Sequence, residues 1–226
     1  MPDETPVPPD ALLLIAPGCT HCPFVLDALA RLVKDGEVGR LEVANIAAHP
    51  EDARAVGTRS VPWLRIGPFE LEGAHSYGEL KDWAAAASGR PDYGLYFSHL
   101  LQSRRLDRVV RSIEGSPGRL DDLIELIGSL ETPMGVRIGV GAVLEDLEGS
   151  ETIRRAVPQL QRLCLSQQAQ VRADACHYLA LTGDPAAAPT LRGLLDDEDA
   201  EVREIAREAL EVIEGTGASG AEGDQA

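Results

Sequence analysis

The 226-residue chain reads as an α/β domain followed by an all-α domain of helical repeats. Three observations carry that reading. A short apolar run leads through Cys19-Thr20-His21-Cys22 into a helical pattern, a second apolar run opens on Pro62, and a Val-Arg unit returns three times in the C-terminal half.

The first run, Ala11-Leu12-Leu13-Leu14-Ile15-Ala16, is too short to span a membrane and reads as a buried strand. Pro17-Gly18 breaks it, after which Phe24-Val25-Leu26, Leu29, Leu32 and Val33 recur at helical spacing. Cys19 and Cys22 therefore fall at a strand-to-helix junction. The unpaired N–H groups and positive dipole end of the helix favour a thiolate there. Two intervening residues let Cys22 reach the Cys19 sulfur, so Cys19 can attack a substrate disulfide and Cys22 can resolve the mixed disulfide. His21, as imidazolium or polar neighbour, further favours the Cys19 thiolate and suits an oxidising centre. Metal handling by Cys19, His21 and Cys22 is the competing reading, although His21 and Cys22 are adjacent and no second pair completes a tetrahedral site.

In Arg59-Ser60-Val61-Pro62-Trp63-Leu64-Arg65-Ile66 a proline opens an apolar run. A proline at such a strand start, facing a redox cysteine pair, is expected to be cis. It leaves the N–H and C=O of Val61 free to pair with an extended substrate backbone. An ordinary strand-opening proline is the alternative.

These segments resemble a thioredoxin-like domain of the small glutaredoxin type over residues 10–88. Cys19-Thr20-His21-Cys22-Pro23-Phe24-Val25-Leu26-Asp27-Ala28-Leu29 is similar to the C-x-x-C-P-x-V-x-x-A-L pattern of bacterial and archaeal redox domains. Ser60-Val61-Pro62 matches the x-V-P loop, and Gly67-Pro68-Phe69 the strand-joining turn. The resemblance implies β1 11–16, α1 22–35, β2 40–46, α2 50–56, β3 62–66, β4 69–72 and α3 76–87. It implies Cys19 as nucleophile, Cys22 as resolving thiol, Val61 and Pro62 as substrate-binding positions, and no cofactor beyond the redox-active disulfide. Gly73-Ala74-His75-Ser76 stands where glutaredoxins carry Gly-Gly-x-Asp, which argues against a glutathione-specific role. The first strand also lacks the buried carboxylate that would take a proton from Cys22.

After Ser88-Gly89-Arg90-Pro91 the strand signals give way to helical patterns. Segments beginning at Val136-Arg137, Val171-Arg172 and Val202-Arg203 align with one another, with a repeat of 31 to 35 residues. Partner helices are expected at 120–130, 153–165 and 187–195. The pattern resembles short HEAT repeats, best over 184–211, with Gly139 and Gly141 weakening the first copy's helix. The resemblance implies that Arg137, Arg172 and Arg203 form a ladder with turn acids. The expected organisation is a flexible N-terminus at 1–9, the thioredoxin-like domain at 10–88, connecting or capping helices at 89–115, HEAT-like repeats at 116–214 and a disordered tail at 215–226.

The net charge is −16, and the region from 91 onward holds 24 acidic against 13 basic residues. That balance argues against nucleic acid and suits either a basic protein partner or plain solubility. No apolar run suggests a membrane span, and the acidic, Pro-rich start is unlike a signal peptide, so a cytoplasmic protein is expected. Cys164 and Cys176 read as buried small residues not placed opposite each other. His49, His75, His99 and His177 read as structural or surface residues, Trp83 as core, and Trp63 as either groove lining or core. The expected function is a protein thiol–disulfide oxidoreductase, its helical repeats docking a protein substrate or reductant. The alternative is a binding scaffold or redox sensor in which the helical array is the working part.

Overall fold

The computed structural model describes residues 7–220, with side chains through Gly215. Two compact units divide the chain between Asp92 and Tyr93.

The first unit is built on a four-stranded mixed sheet of order β2-β1-β3-β4, with β1 at Asp10–Ile15, β2 at Arg40–Asn45, β3 at Trp63–Ile66 and β4 at Phe69–Glu72. The helix α1 (Cys22–Lys34) links the parallel pair β1 and β2, while β3 runs antiparallel to both β1 and β4. Strand alternation and register put Ala11, Leu13, Leu64, Ile66, Phe69 and Leu71 on one face, and all six are buried. Against that face lies α3 (Tyr77–Ala87), whose Trp83 meets Phe69 edge-on at 5.6 Å. Alongside it α1 buries Val25, Ala28, Leu29 and Leu32 at i, i+3, i+4, i+7 spacing. Tyr77 donates to Asp35 and Lys81 pairs with Glu37, tying the two helices together at the surface.

Local chemistry sets the element ends. Ser76 and Glu79 form a reciprocal capping box that starts α3. Gly67-Pro68 closes the β3–β4 hairpin with Gly67 at φ +54°, a conformation that suits glycine at the first position of a two-residue turn. The edge strand β2 exposes Arg40 and Glu42, charges that discourage strand addition. A short helix, α2, spans Pro50–Ala55. At the N-terminal end, Pro9 is buried and its carbonyl accepts from Gly39, so this part of the segment expected to be flexible is anchored; residues 1–6 lie outside the described ones.

The second unit is helical throughout. It comprises α4 (Tyr93–Gln102), α5 (Leu106–Gly115), α6 (Leu120–Glu125), α7 (Met134–Asp146), α8 (Glu151–Arg154), α9 (Val157–Leu163), α10 (Ala169–Thr182), α11 (Ala188–Gly193) and α12 (Ala200–Gly220). The helices α4 and α5, expected to connect the domains or cap the stack, sit inside this unit; Phe97, Leu100, Val109 and Ile113 are buried in it. The first helices of the repeats are fragmented. Pro158 lies in the first turn of α9 and divides the second copy, and 3-10 turns at Leu126–Gly128 and Leu194–Asp196 end the other two.

The second helices, α7, α10 and α12, are continuous. Gly139 and Gly141 do not break α7, because they admit neighbours: a Cβ on Gly139 would lie 3.0 Å from Leu101 Cδ2, and one on Gly141 3.0 Å from the Tyr178 hydroxyl. The tail expected to be irregular from Gly215 continues as helix to Gly220, and 221–226 lie outside the described residues.

Candidate functional site

Cys19 and Cys22 are joined in a disulfide, with Cα atoms 5.5 Å apart. The sequence explains the geometry. The strand β1 ends at Ile15, Pro17-Gly18 turn the chain with Gly18 at φ +79°, and α1 begins at Cys22 with Pro23 in its first turn, where its missing N–H costs nothing. The Cys22 N–H, one of the donors a helix start leaves unpaired, points at Cys19 Sγ at 3.1 Å. Cys22 is buried at 4% exposure and Cys19 is half-buried. The more open sulfur is therefore also the one that receives a helix-terminal N–H. In the dithiol form this donor favours negative charge on Cys19. His21 is exposed and its side chain caps nothing.

The Val61–Pro62 peptide is cis. Leu14 pairs with Trp63 across the two central strands, so the cysteine loop leaving β1 and the Val61–Pro62 segment entering β3 lie at the same end of the sheet. Pro62 is buried, Val61 half-buried, and the Val61 amide and carbonyl take part in no hydrogen bond among the described residues. The loop before them is held by Thr58. Its hydroxyl donates to the Ser60 carbonyl at 3.2 Å and accepts from the Ser60 N–H at 3.1 Å. That role had no sequence signature, since one threonine in a polar loop looks like any other.

Phe24 departs from the sequence pattern. Its apolar character suggests the buried stripe of α1, yet it is 71% exposed, two residues after Cys22. The buried set 25, 28, 29, 32 leaves position 24 about 100° off the stripe, a signal that explicit helical phasing carries. Trp63 is fully buried and packs as core rather than lining a groove. Among the described residues, no three His, Cys, Asp or Glu side chains come together as a metal site.

In the helical unit the recurrent arginines are structural. Arg137 donates to the carbonyls of Ile127 and Ser129 and pairs with Asp174 on the next second helix. Arg172 donates to the Ser166 carbonyl and, through two nitrogens, to both oxygens of Asp197. Arg203 donates to the carbonyls of Asp197 and Glu198. Each thus satisfies orphan carbonyls at the end of its own repeat's first helix, and the first two also bridge to the following copy. The Arg172 hydrogen bonds hold the Asp197 carboxyl below the usual range.

Cys164 and Cys176 are buried, as the sequence leads one to expect. The neighbouring Cys176, together with burial, pushes the Cys164 thiol up.

Residues 120–211 match a family model for HEAT repeats. No curated protein matches the chain. The HEAT match and the helical architecture support a protein-binding helical scaffold. Among the described residues no helix is long and apolar enough to cross a membrane.

Proposed function

We propose that the chain is a protein-binding helical scaffold carrying its own thiol–disulfide centre, with the repeats holding a protein partner and Cys19–Cys22 exchanging electrons with it. The observation that carries the scaffold is the HEAT match over 120–211. The exchange chemistry is supported by the Cys19–Cys22 disulfide at a helix start, at the same sheet end as Val61 and Pro62. The strand and helix order of the first unit also fits the thioredoxin-like resemblance, in which Val61 presents free backbone groups to an extended segment.

The reaction balances as thiol–disulfide exchange. In the dithiol form the Cys19 thiolate attacks one sulfur of a partner disulfide, forming a mixed disulfide and releasing the partner's other sulfur as a thiolate. Cys22, losing its proton to solvent, then attacks Cys19, closing the Cys19–Cys22 disulfide and releasing the partner as a dithiol. Run backwards, the same steps oxidise a partner dithiol. Holding the partner on the same chain raises the local concentration of its sulfurs at Cys19. Thiol–disulfide oxidoreductase activity on proteins, in a reducing cytoplasm, is the enzymatic form of this reading. A scaffold whose Cys19–Cys22 pair only senses redox state is its second form, favoured by the match falling in the repeats.

Replacement of single cysteines tests the roles. With a small disulfide-bonded protein as probe, full-length Cys22→Ser should accumulate a mixed disulfide through Cys19, because the resolving step is gone. Cys19→Ser should trap little, its remaining thiols Cys22, Cys164 and Cys176 all being buried. Equal trapping by both variants would overturn the assignment of attacker and resolver.

A further inference from the structure

Along one face of the helical unit run the neighbouring second helices α7, α10 and α12. Met134 and Ile138 on α7 are 70% and 66% exposed, and Val212 on α12 is 47% exposed. Between α10 and α12 the surface dips into a groove of about 200 Å³, floored by Ala180, Leu181, Ile205, Ala209 and Val212. Glu148, Glu208 and His177 also line it, and all three are exposed. Glu201, one helical turn before Ile205, extends the acidic edge on the same side of α12.

The charges of this edge are uncompensated. Arg137, Arg172 and Arg192 are engaged by Asp174, Asp197 and Glu214 and so do not neutralise this edge. Glu148, Glu201 and Glu208 have no ion-pair partner among the described residues. Arg207 falls on the opposite side of α12 from Ile205 and Ala209 by helical spacing. An apolar floor with unpaired carboxylates at its edges matches a segment that is apolar along one stripe and cationic along its flanks.

We propose that the α10–α12 groove docks an amphipathic helix of a basic protein partner. The apolar stripe of that helix sits on Leu181, Ile205 and Val212, with Lys and Arg flanks against Glu148 and Glu208. The proposal rests on the array being the partner-binding part of the chain, and it names the site and the partner's chemistry. Helix-in-groove recognition uses apolar anchors at i, i+3, i+4 and i+7, and complementary flanking charge sets orientation and association rate.

The probe is a fluorescent peptide of about 16 residues, with Leu at those spacings and Lys or Arg elsewhere, titrated into the full-length protein. A scrambled peptide of the same composition is the comparison. The amphipathic peptide should bind about tenfold or more tightly than the scrambled one, and Glu148→Lys with Glu208→Lys should remove that advantage. Glu114→Lys with Glu125→Lys, an equal charge change at exposed sites on α5 and α6, should leave most of it. Equal binding of the two peptides, equal loss in the two double variants, or no binding of the amphipathic peptide would each overturn the groove. If Cys22→Ser still traps normally in that case, the groove falls and the thiol–disulfide function stands. If trapping fails while the peptide binds as expected, the converse holds.

Discussion

Arg172 and Asp197 hold one another with only 8% of each side chain exposed. Removing one member of such a pair strands the other in a partly dry site, so Arg172→Ala should destabilise the helical unit by about 3 kcal/mol. The loss also orphans the Ser166 carbonyl. The pH dependence has a definite sign. Hydrogen bonding to Arg172 lowers the Asp197 carboxyl in the folded state. Its stabilising contribution is therefore complete above the unfolded carboxyl value of about 4, and it disappears as pH falls through the lower folded value. Urea unfolding of wild type and Arg172→Ala between pH 7 and acid should show the difference between them shrinking at the acid end, and a pH-independent difference would contradict this account. The recurrence of Arg137, Arg172 and Arg203 was legible from spacing alone. Their partners were only half legible: Asp197 is a turn acid as expected, but Asp174 lies within α10, and helix phasing in one repeat does not say which acid of the next comes within reach.

At the scale of elements, α7 shows how packing overrides propensity. Two glycines in one helix read as weakness, yet both lie against large neighbours. Gly139→Ala should gain about 1 kcal/mol of helix propensity. It must also push its new methyl against Leu101, whose Cβ and Cγ would lie 3.2 and 3.3 Å away. Overpacking of this kind costs about 1–3 kcal/mol, so the variant should come out less stable on balance, as read by the urea midpoint. A gain in stability would show that the approach of α4 to α7 is looser than described. The strand and helix bounds that the thioredoxin-like resemblance implied for the first unit lie within a residue of the observed ones. The first helices of the repeats were not legible to that degree. Their apolar spacing carries across the breaks at Arg155-Ala156 and Leu126, so periodicity cannot show that the backbone hydrogen bonds change there.

For the whole molecule, composition changes at Ser88–Pro91, and the two compact units divide between Asp92 and Tyr93. What composition left open was where α4 and α5 belong, since neither carries the Val-Arg unit. Their buried Phe97, Leu100, Val109 and Ile113 answer that by joining the core of the second unit. The disulfide pair was legible because two cysteines at a strand–helix junction have few other uses. The acidic groove was not, because it is assembled from residues of α10, α12 and the Glu148 turn that are far apart in sequence.

The central claim is that partner holding and thiol exchange serve one another in a single chain. Its most direct measurement is the rate at which reduced full-length protein releases a chromophoric thiol from two disulfide probes. One probe carries the basic amphipathic helix through a flexible Gly/Ser linker, and the other is a short neutral peptide with the same disulfide. The account predicts that the helix-bearing probe reacts about tenfold or more faster at low salt, through Cys19, with the advantage shrinking as salt screens the carboxylates. Equal rates for the two probes under all salt conditions would contradict it.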